Sequence, residues 1–218
     1  STSMGHKTTA GGDNSTAMGF ETTASGFKST AIGNYTIASG DSSTAMGDNT
    51  EASGNISTVM GASTKASGNI STAMGIHTSA SGNYSTAMGS YTEASGTTSI
   101  AMGVGTAASD RSSLVIGEYN LLGSTVTNSA TGFNTENTAF VIGNGTDSDN
   151  RSDALVVKFN GDATLAGSMT ATSFIGDGSQ LTNLPSSGAD SPFSYNSNEA
   201  GGIEIADYTT ASGSRAFA

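Results

Sequence analysis

Few side chains in this sequence have the chemistry of a catalytic or metal-binding group. The two histidines, His6 and His77, have no partner residue at a recurring spacing. We therefore expect surface or interface roles for both, rather than catalysis or metal ligation. The chain has no cysteine, which excludes disulfides and thiolate metal sites.

The densest acidic cluster consists of Asp147, Asp149 and Asp153. An EF-hand loop beginning at Asp147 would need glycine at position 152 and glutamate at position 158, but Ser152 and Lys158 stand there. A solvated turn is therefore the favoured interpretation, with a calcium site left open as the alternative.

Methionine is the remaining potential ligand for a metal. One apolar side chain recurs every 14 residues, as Met18, Ile32, Met46, Met60, Met74, Met88, Met102 and Ile116. Thioethers bind soft metals, but recurrence at one position in every repeat favours packing. The sequence thus predicts no catalytic, cofactor-binding or metal-ligating residue, and no cofactor.

The charge balance excludes two classes of partner. The net charge is −11, and the seven lysines and arginines are scattered along the chain. Binding to nucleic acid or to an anionic membrane needs a basic face, and this sequence has none. No stretch approaches the ~20 apolar residues of a membrane span, so we expect no membrane insertion within this segment.

The elements that carry these side chains belong to a 14-residue repeat. One glycine series consists of Gly5, Gly19, Gly33, Gly47, Gly61, Gly75, Gly89, Gly103 and Gly117. A second series lies half a period away, at Gly12, Gly26, Gly40, Gly54, Gly68, Gly82 and Gly96, and Asp110 takes the next place. Such strict self-similarity is typical of stacked repeats.

Each repeat contains two five-residue pieces, Ser-x-Ala-x-Gly and Thr-x-Ala-x-Gly, separated by two-residue connections. Alternation with a period of two predicts short strands, and glycines close each strand where positive φ or close approach is needed. One repeat is then one coil of a parallel β-roll, and nine coils would form a rod of roughly 40 Å.

Side-chain parity assigns the faces of the first strand. In the segment 71–75, Ser71, Ala73 and Gly75 share one face, and Thr72 and Met74 share the other. Ordering one coil costs on the order of 20 kcal/mol, which an alanine-lined interior cannot offset. The methionine column must therefore be buried against something, and we expect a homotrimer closed around it.

The repeats resemble the YadA-type head of trimeric autotransporter adhesins, whose units read roughly Ser-Val-Ala-Ile-Gly, two variable residues, Ser-x-Ala-Ser-Gly. Residues 55–61 (Asn-Ile-Ser-Thr-Val-Met-Gly) and 83–89 (Asn-Tyr-Ser-Thr-Ala-Met-Gly) carry the resemblance. It implies an all-β fold: a homotrimeric left-handed parallel β-roll whose first strands face the axis. It covers residues 1 to about 117.

Beyond Gly117 the register breaks. We expect a head β-roll over 1–117, an irregular last coil with an insertion over 118–143, and a β-hairpin or neck-like module over 144–167. Residues 139–143 are predicted to form the last of the strands that face the axis, displaced from the repeat register. Asn160-Gly161 is predicted to form a type I′ turn.

An extended connector over 168–198 resembles phage tail fibres at residues 176–185. Residues 199–218 read as a second head-repeat module cut off mid-strand, so we expect a piece of a longer mosaic fibre.

Three alternative functions would each need a feature of their own. An ice-binding solenoid needs an exposed threonine array, but Thr22, Thr36, Thr50, Thr64, Thr78, Thr92 and Thr106 share parity with the buried alanines. A polysaccharide-cleaving solenoid needs paired carboxylates in a cleft, and the acids here are dispersed. A phage tail or receptor-binding fibre stays open as the main alternative.

The sequence therefore favours a non-enzymatic segment of an extracellular, cell-surface fibre anchored in an outer membrane, or else a virion tail fibre. Its expected partners are two further copies of itself and a glycan or protein on a host or prey cell. The variable side chains that project from the rod are Tyr35, His77, Tyr91, Glu51 and Lys65. A stiff spacer with no ligand of its own is the simpler alternative.

Overall fold

The structure is a computed structural model, and it describes residues 1–122 and 130–173 together with the backbone of two short strands at 194–195 and 203–204. The chain divides into two compact units, Ser1–Met169 and Thr170–Ala218. The described residues are all-β, and they include no helix long and apolar enough to cross a membrane.

Long and short strands alternate through the repeats. In chain order they are β1 (Thr2–His6), β2 (Thr9–Ala10), β3 (Thr16–Phe20), β4 (Thr23–Ala24), β5 (Thr30–Asn34), β6 (Ile37–Ala38), β7 (Thr44–Asp48), β8 (Glu51–Ala52), β9 (Thr58–Ala62), β10 (Lys65–Ala66), β11 (Thr72–Ile76), β12 (Ser79–Ala80), β13 (Thr86–Ser90), β14 (Glu93–Ala94), β15 (Ile100–Val104), β16 (Ala107–Ala108) and β17 (Leu114–Glu118). After them come β18 (Thr138–Asn144), β19 (Asp153–Lys158) and β20 (Ala163–Leu165).

The strands stack into two parallel sheets in a fixed register. The long strands from β1 to β17 form one sheet, hereafter the long sheet, and the short strands from β2 to β16 form the other, the short sheet. Each strand residue of the coils pairs with the residue 14 positions away, as Met74 does with Met60 and Met88. The predicted parallel β-roll with one 14-residue repeat per coil is confirmed.

A thin interior separates the two sheets. It contains one alanine or valine from each strand from β2 to β17, and all of these from Ala17 to Ala101 are completely buried. The serines before the long strands from β3 to β17 are buried as well, and most donate to a carbonyl three residues earlier, as Ser71 does to Gly68 at 2.6 Å. The small side chains allow the sheets to lie close together, as parity predicts.

The two connections in each coil differ in length, contrary to the expectation of two-residue connections on both sides. Two residues join β11 to β12, but five join β12 to β13. The short strand stops at Ala80 because the next two amides, of Ser81 and Gly82, both donate to the carbonyl of Ala94. One acceptor shared by two donors ends the regular ladder and begins the wider turn.

Both glycine series are required by the contact between successive coils. Gly75 has φ of 126°, and a Cβ there would lie 1.9 Å from the carbonyl oxygen of Gly89. Gly82 has no positive φ, but its Cβ would lie 2.1 Å from the carbonyl oxygen of Gly96. The backbones therefore touch at two points in each coil, and a side chain at either point would separate the coils.

Asp110 and Asn120 end the short sheet and explain two breaks in the repeat. Asp110 takes the place of the glycine after β16, the last short strand among the described residues, and its Oδ2 accepts bonds from the amide and hydroxyl of Thr138 at 2.9 and 2.7 Å. Asn120 stands where the repeat has threonine. Its side-chain amide bonds the amide and carbonyl of Ala107 at 2.7 and 3.0 Å, in place of a further strand.

The long sheet continues past the repeats. Strand β18 pairs parallel with β17, with Val115 opposite Val141 and Gly117 opposite Gly143, so residues 139–143 occupy the place of a further long strand. Strand β19 then pairs antiparallel with β18, and β20 pairs antiparallel with β19.

The predicted type I′ turn at Asn160-Gly161 is wrong in detail. Gly161 donates to the carbonyl of Lys158 at 3.1 Å, so Phe159 and Asn160 are the central residues of the turn. Of the residues in this turn only Gly161 has positive φ, at 95°. This arrangement is a three-residue-type hairpin loop with glycine in the bulge position, which needs positive φ at one residue where type I′ needs it at two.

The second unit contains one described element, in which β21 (Ser194–Tyr195) pairs antiparallel with β22 (Ile203–Glu204). The predicted connector motif at 176–185, the restarted repeat at 209–218 and the insertion at 123–129 lie outside the described residues.

We predict that Gly75→Ala will destabilise the roll by about 3 kcal/mol or more, through backbone strain and the clash with Gly89. Gly167→Ala is the matched control, because a Cβ at Gly167 would meet no atom within 4 Å. Thermal unfolding followed by circular dichroism measures both. Similar melting temperatures for the two variants would contradict the tight stacking of coils.

Candidate binding surfaces

An apolar column runs along the outward face of the long sheet. It consists of the eight predicted side chains from Met18 to Ile116, which pair directly with one another from coil to coil. Each remains partly exposed in the single chain, whereas the alanines of opposite parity are buried. We call this feature the methionine column, and in one copy of the chain nothing in the described residues covers it.

The connections between strands place a left-handed residue at each edge of the roll. After each long strand the first connecting residue has φ near 50°, as in Tyr35 (52°), His77 (52°) and Tyr91 (54°). Left-handed backbone turns the chain sharply without a proline, and it directs these side chains away from the interior. Tyr35, His77 and Tyr91 are exposed, as the sequence predicts.

Three of the five predicted surface residues meet in one groove. Tyr35, Glu51 and Lys65 line an open groove of about 190 Å³ beside the short sheet. Lys65 Nζ lies 2.9 Å from Glu51 Oε1, so the two charges form a surface ion pair between adjacent coils. The remaining lining residues are Ile37, Asn49, Thr50, Ser63 and Thr64.

The other two predicted residues form an aromatic pair on the same edge. The rings of His77 and Tyr91 stack with centroids 4.7 Å apart and an interplanar angle of 19°. Nearer the amino end, His6 stacks on Phe20 at 4.9 Å, and Phe20 meets Tyr35 edge to face at 5.5 Å. Both histidines therefore have aromatic partners in the next coil. Their 14-residue spacing from Phe20 and Tyr91 was the available sequence signal for these contacts.

Comparison with protein families matches this repeat. The YadA head domain repeat (2 copies) family matches residues 1–22, 24–50, 52–75, 66–92 and 94–118. The chain belongs to the YadA head repeat family. A search among curated proteins gave no match.

The YadA head is a structural repeat of adhesins and not an enzyme family. This chain is accordingly a segment of an adhesin-type, surface-exposed fibre, as the resemblance predicts. The matched residues end at 118, the last residue of β17. The family and the 14-residue coils therefore cover the same part of the chain.

The threonines considered for ice binding lie inside the YadA-type roll. All seven, from Thr22 to Thr106, are at most 2% exposed, so they present no array to solvent. Their hydroxyls have no hydrogen-bond partner among the described residues. The outward column of the short sheet is chemically irregular, with Ile37, Glu51 and Lys65 in successive coils.

The acidic residues Asp147 and Asp153 near the end of the roll make separate sets of hydrogen bonds. Asp147 Oδ1 accepts bonds from the amides of Asp149 and Asn150, both at 2.9 Å, and closes a tight turn. Asp153 instead accepts from the amide of Leu121 at 3.0 Å. Among the described residues no three histidine or acidic side chains lie in a metal-binding group.

The surroundings of Asp147 and Asp153 shift the pKa values of the two carboxyl groups in opposite directions. Hydrogen bonds from Asn150 and from the turn amides lower the pKa of Asp147. Burial raises the pKa of Asp153, because the charged form is partly desolvated and the amide of Leu121 offsets only part of that penalty. Ionised Asp153 therefore weakens the folded state relative to the unfolded one.

Arg151 also belongs to this end of the roll, in a role that the sequence pattern does not predict. Its Nη1 donates to the carbonyls of Gly105 and Asn120 at 2.7 and 3.1 Å, and its guanidinium lies 5.6 Å from the ring centroid of Tyr119. No local motif predicts these contacts, because they join residues that are far apart in the sequence.

We predict that Asp153→Asn will stabilise the roll at neutral pH and leave it unchanged in strong acid. The pKa of Asp153 is higher in the folded state than its ordinary value of 3.8. The wild type therefore keeps its full stability below pH 3.8 and loses stability as the pH rises from there through the pKa of the folded state. Chemical unfolding of both proteins between about pH 3 and pH 7 measures the difference. A gap that is constant with pH would contradict the assignment to ionisation.

Proposed function

We propose that this chain is an adhesive shaft segment of a homotrimeric extracellular fibre, and that the fibre attaches a cell to a glycan or protein on another surface. The observation that carries the proposal is the methionine column, an uninterrupted line of apolar side chains on the outward face of the long sheet. Monomeric proteins rarely expose such a feature. Two further copies of the same chain would cover it along its whole length.

Threefold closure suits the shape of the roll. Rods that stand parallel around one axis bring the same residues to the same height, so the column of one copy meets the columns of the other two. Methionine side chains are flexible and adapt to irregular gaps, so they can fill the space around the threefold axis without exact shape complementarity. Membership of the YadA head family supports the same assembly.

The ligand surface would be the edge that carries Tyr35, the Glu51–Lys65 ion pair and the stacked His77 and Tyr91. Aromatic faces and fixed polar groups are common in protein and glycan recognition, and both are exposed here. Three copies of a weak site on one stiff rod would bind a crowded surface through avidity. A spacer role, with binding at a distal tip, is the competing function.

The domain organisation is also a proposal. We divide the chain into the head roll over 1–117, the irregular last coil over 118–143, the hairpin module over 144–167, a connector over 168–198 and a second head module from 199. The end of the repeat register at β17 and the antiparallel pairing of β18 to β20 support the first three boundaries. Anchorage of the fibre in an outer membrane is part of the same proposal, with a virion tail fibre as its alternative.

We predict a stable trimer at micromolar concentration, measured by sedimentation or light scattering. Met74→Asp would place three carboxylates at a dry axis, where each charge costs on the order of several kcal/mol, so assembly should fail or weaken sharply. Lys65→Ala removes only a surface ion pair and should change stability by less than about 0.5 kcal/mol. A folded wild-type monomer would contradict the proposed assembly, and equal losses in the two variants would reverse the assignment of faces.

We predict that the isolated trimer will bind a ligand on a glycan array or on target cells, and that joint replacement of Tyr35, His77 and Tyr91 by alanine will abolish binding. Phe27→Ala is the matched control, because Phe27 is an exposed aromatic residue on the opposite edge. Binding that survives the triple replacement would rule out this edge. A trimer that binds nothing would favour the spacer.

A further inference from the structure

An exposed apolar ridge lies at the edge of the roll opposite the aromatic pair. The residue that comes two positions before each long strand has left-handed φ in every repeat coil from Asn14 to Ser112. Asparagine tolerates this backbone best among non-glycine residues, and Asn14 adopts it at 58°. Three successive coils instead carry large apolar side chains there, namely Ile56, Ile70 and Tyr84, with φ of 58°, 56° and 60°.

These three residues are unfavourable in a free chain for two reasons. Isoleucine is branched at Cβ, and left-handed backbone brings that carbon against the following carbonyl, so positive φ is a genuine outlier for it. The side chains are also 58%, 45% and 57% exposed, in the order Ile56, Ile70, Tyr84. Strained backbone that carries exposed apolar groups needs a compensating contact outside the single chain.

We infer that this ridge docks against the neighbouring copy, on the exposed side chain of Ile76. The inference rests on the proposed trimer and specifies a second contact in it, separate from the methionine column. Ser57 alone separates Ile56 from β9, whose outward face contains Met60 of that column. The ridge therefore borders the face that the other copies would cover.

Symmetry selects the partner residue on the neighbouring copy. In a closed ring of three, each copy uses two different patches, so the border of the long sheet before the strands of one copy meets the border at the last strand residues of the next. The turns that carry Tyr35, His77 and Tyr91 begin after that border and stay outside the contact. A threefold axis along the rod keeps equal residue numbers at equal height. The coil of Ile70 in one copy therefore faces β11 of the next, which ends at Ile76.

The heights of the apolar groups agree with this pairing. Ile76 is 52% exposed, and the equivalent residues in the adjacent coils are Ala62 and Ser90. One large side chain thus stands at the level of Ile70, the middle of the ridge, with Ile56 one coil below and Tyr84 one coil above. We therefore expect the side chain of Ile76 of the next copy to pack against Ile70, between Ile56 below and Tyr84 above.

Cysteine cross-linking of the full chain tests the contact, because the protein has no cysteine of its own. We expect Ile70→Cys/Ile76→Cys to give a covalent trimer on a non-reducing gel after mild oxidation. A bond within one chain is excluded, since six residues of extended strand separate the two positions by roughly 20 Å. Phe27→Cys/Ile76→Cys is the control, because Phe27 is on the same edge about 14 Å away in height, and it should stay uncross-linked.

The sign of a stability change provides a second test. Ile70→Asn copies the residue that occupies position 14. If the ridge were in solvent, relief of backbone strain would raise the melting temperature by roughly 2–4 °C. We expect the melting temperature to fall instead and trimer dissociation to increase, because the docked side chain is lost.

The outcomes separate this inference from the proposed function. A covalent trimer together with a lower melting temperature supports both. A wild-type trimer that does not cross-link, with Ile70→Asn more stable than wild type, overturns the ridge contact and leaves the trimer intact. A wild-type monomer overturns both. Loss of ligand binding in a fully stable Ile70→Asn trimer would assign the ridge to an external partner and also overturn the contact between copies.

Discussion

Backbone contact between the glycines of successive coils is the constraint on which the rest of this structure depends. A Cβ at Gly75 or Gly82 would lie about 2 Å from a carbonyl oxygen of the next coil. Two such contacts per coil fix both the spacing of the coils and their register. Equivalent residues are then forced into columns, which gives the alanine interior, the buried threonines and the methionine column their regularity.

The same constraint makes the roll poor at burying surface. Close sheets admit only alanine, serine, threonine and an occasional valine between them, so each coil gains little from its own interior. Large apolar side chains are thereby kept out of the interior, and they lie on the outward face of the long sheet and at the turns. Assembly of several copies follows from this division, because the side chains best able to stabilise the fold are those that a single chain cannot cover.

At the end of the stacked coils the requirement for glycine is lost, and polar side chains replace residues of the repeat. Asp110 takes the place of a glycine after the last described short strand, and its carboxylate accepts hydrogen bonds from Thr138. Asn120 replaces a threonine and satisfies the free edge of the short sheet. Exposed edges of sheets promote unwanted pairing, so these two departures protect the end of the roll as well as terminating it.

Much of this protein is determined by the sequence alone, because a period of 14 with two glycines and alternating parity is compatible with few backbones. The coil, the buried alanines and the partly exposed methionine column all follow from it. Tertiary structure decided what depends on the relation between coils and on distant contacts. The two-residue short strand, the stacking of His77 on Tyr91, the groove at Tyr35 and the bonds of Arg151 belong to that class. The periodicity of the sequence determines which face of its strand a side chain occupies. The residues that this side chain contacts are determined by how the coils stack and by where the repeat is interrupted.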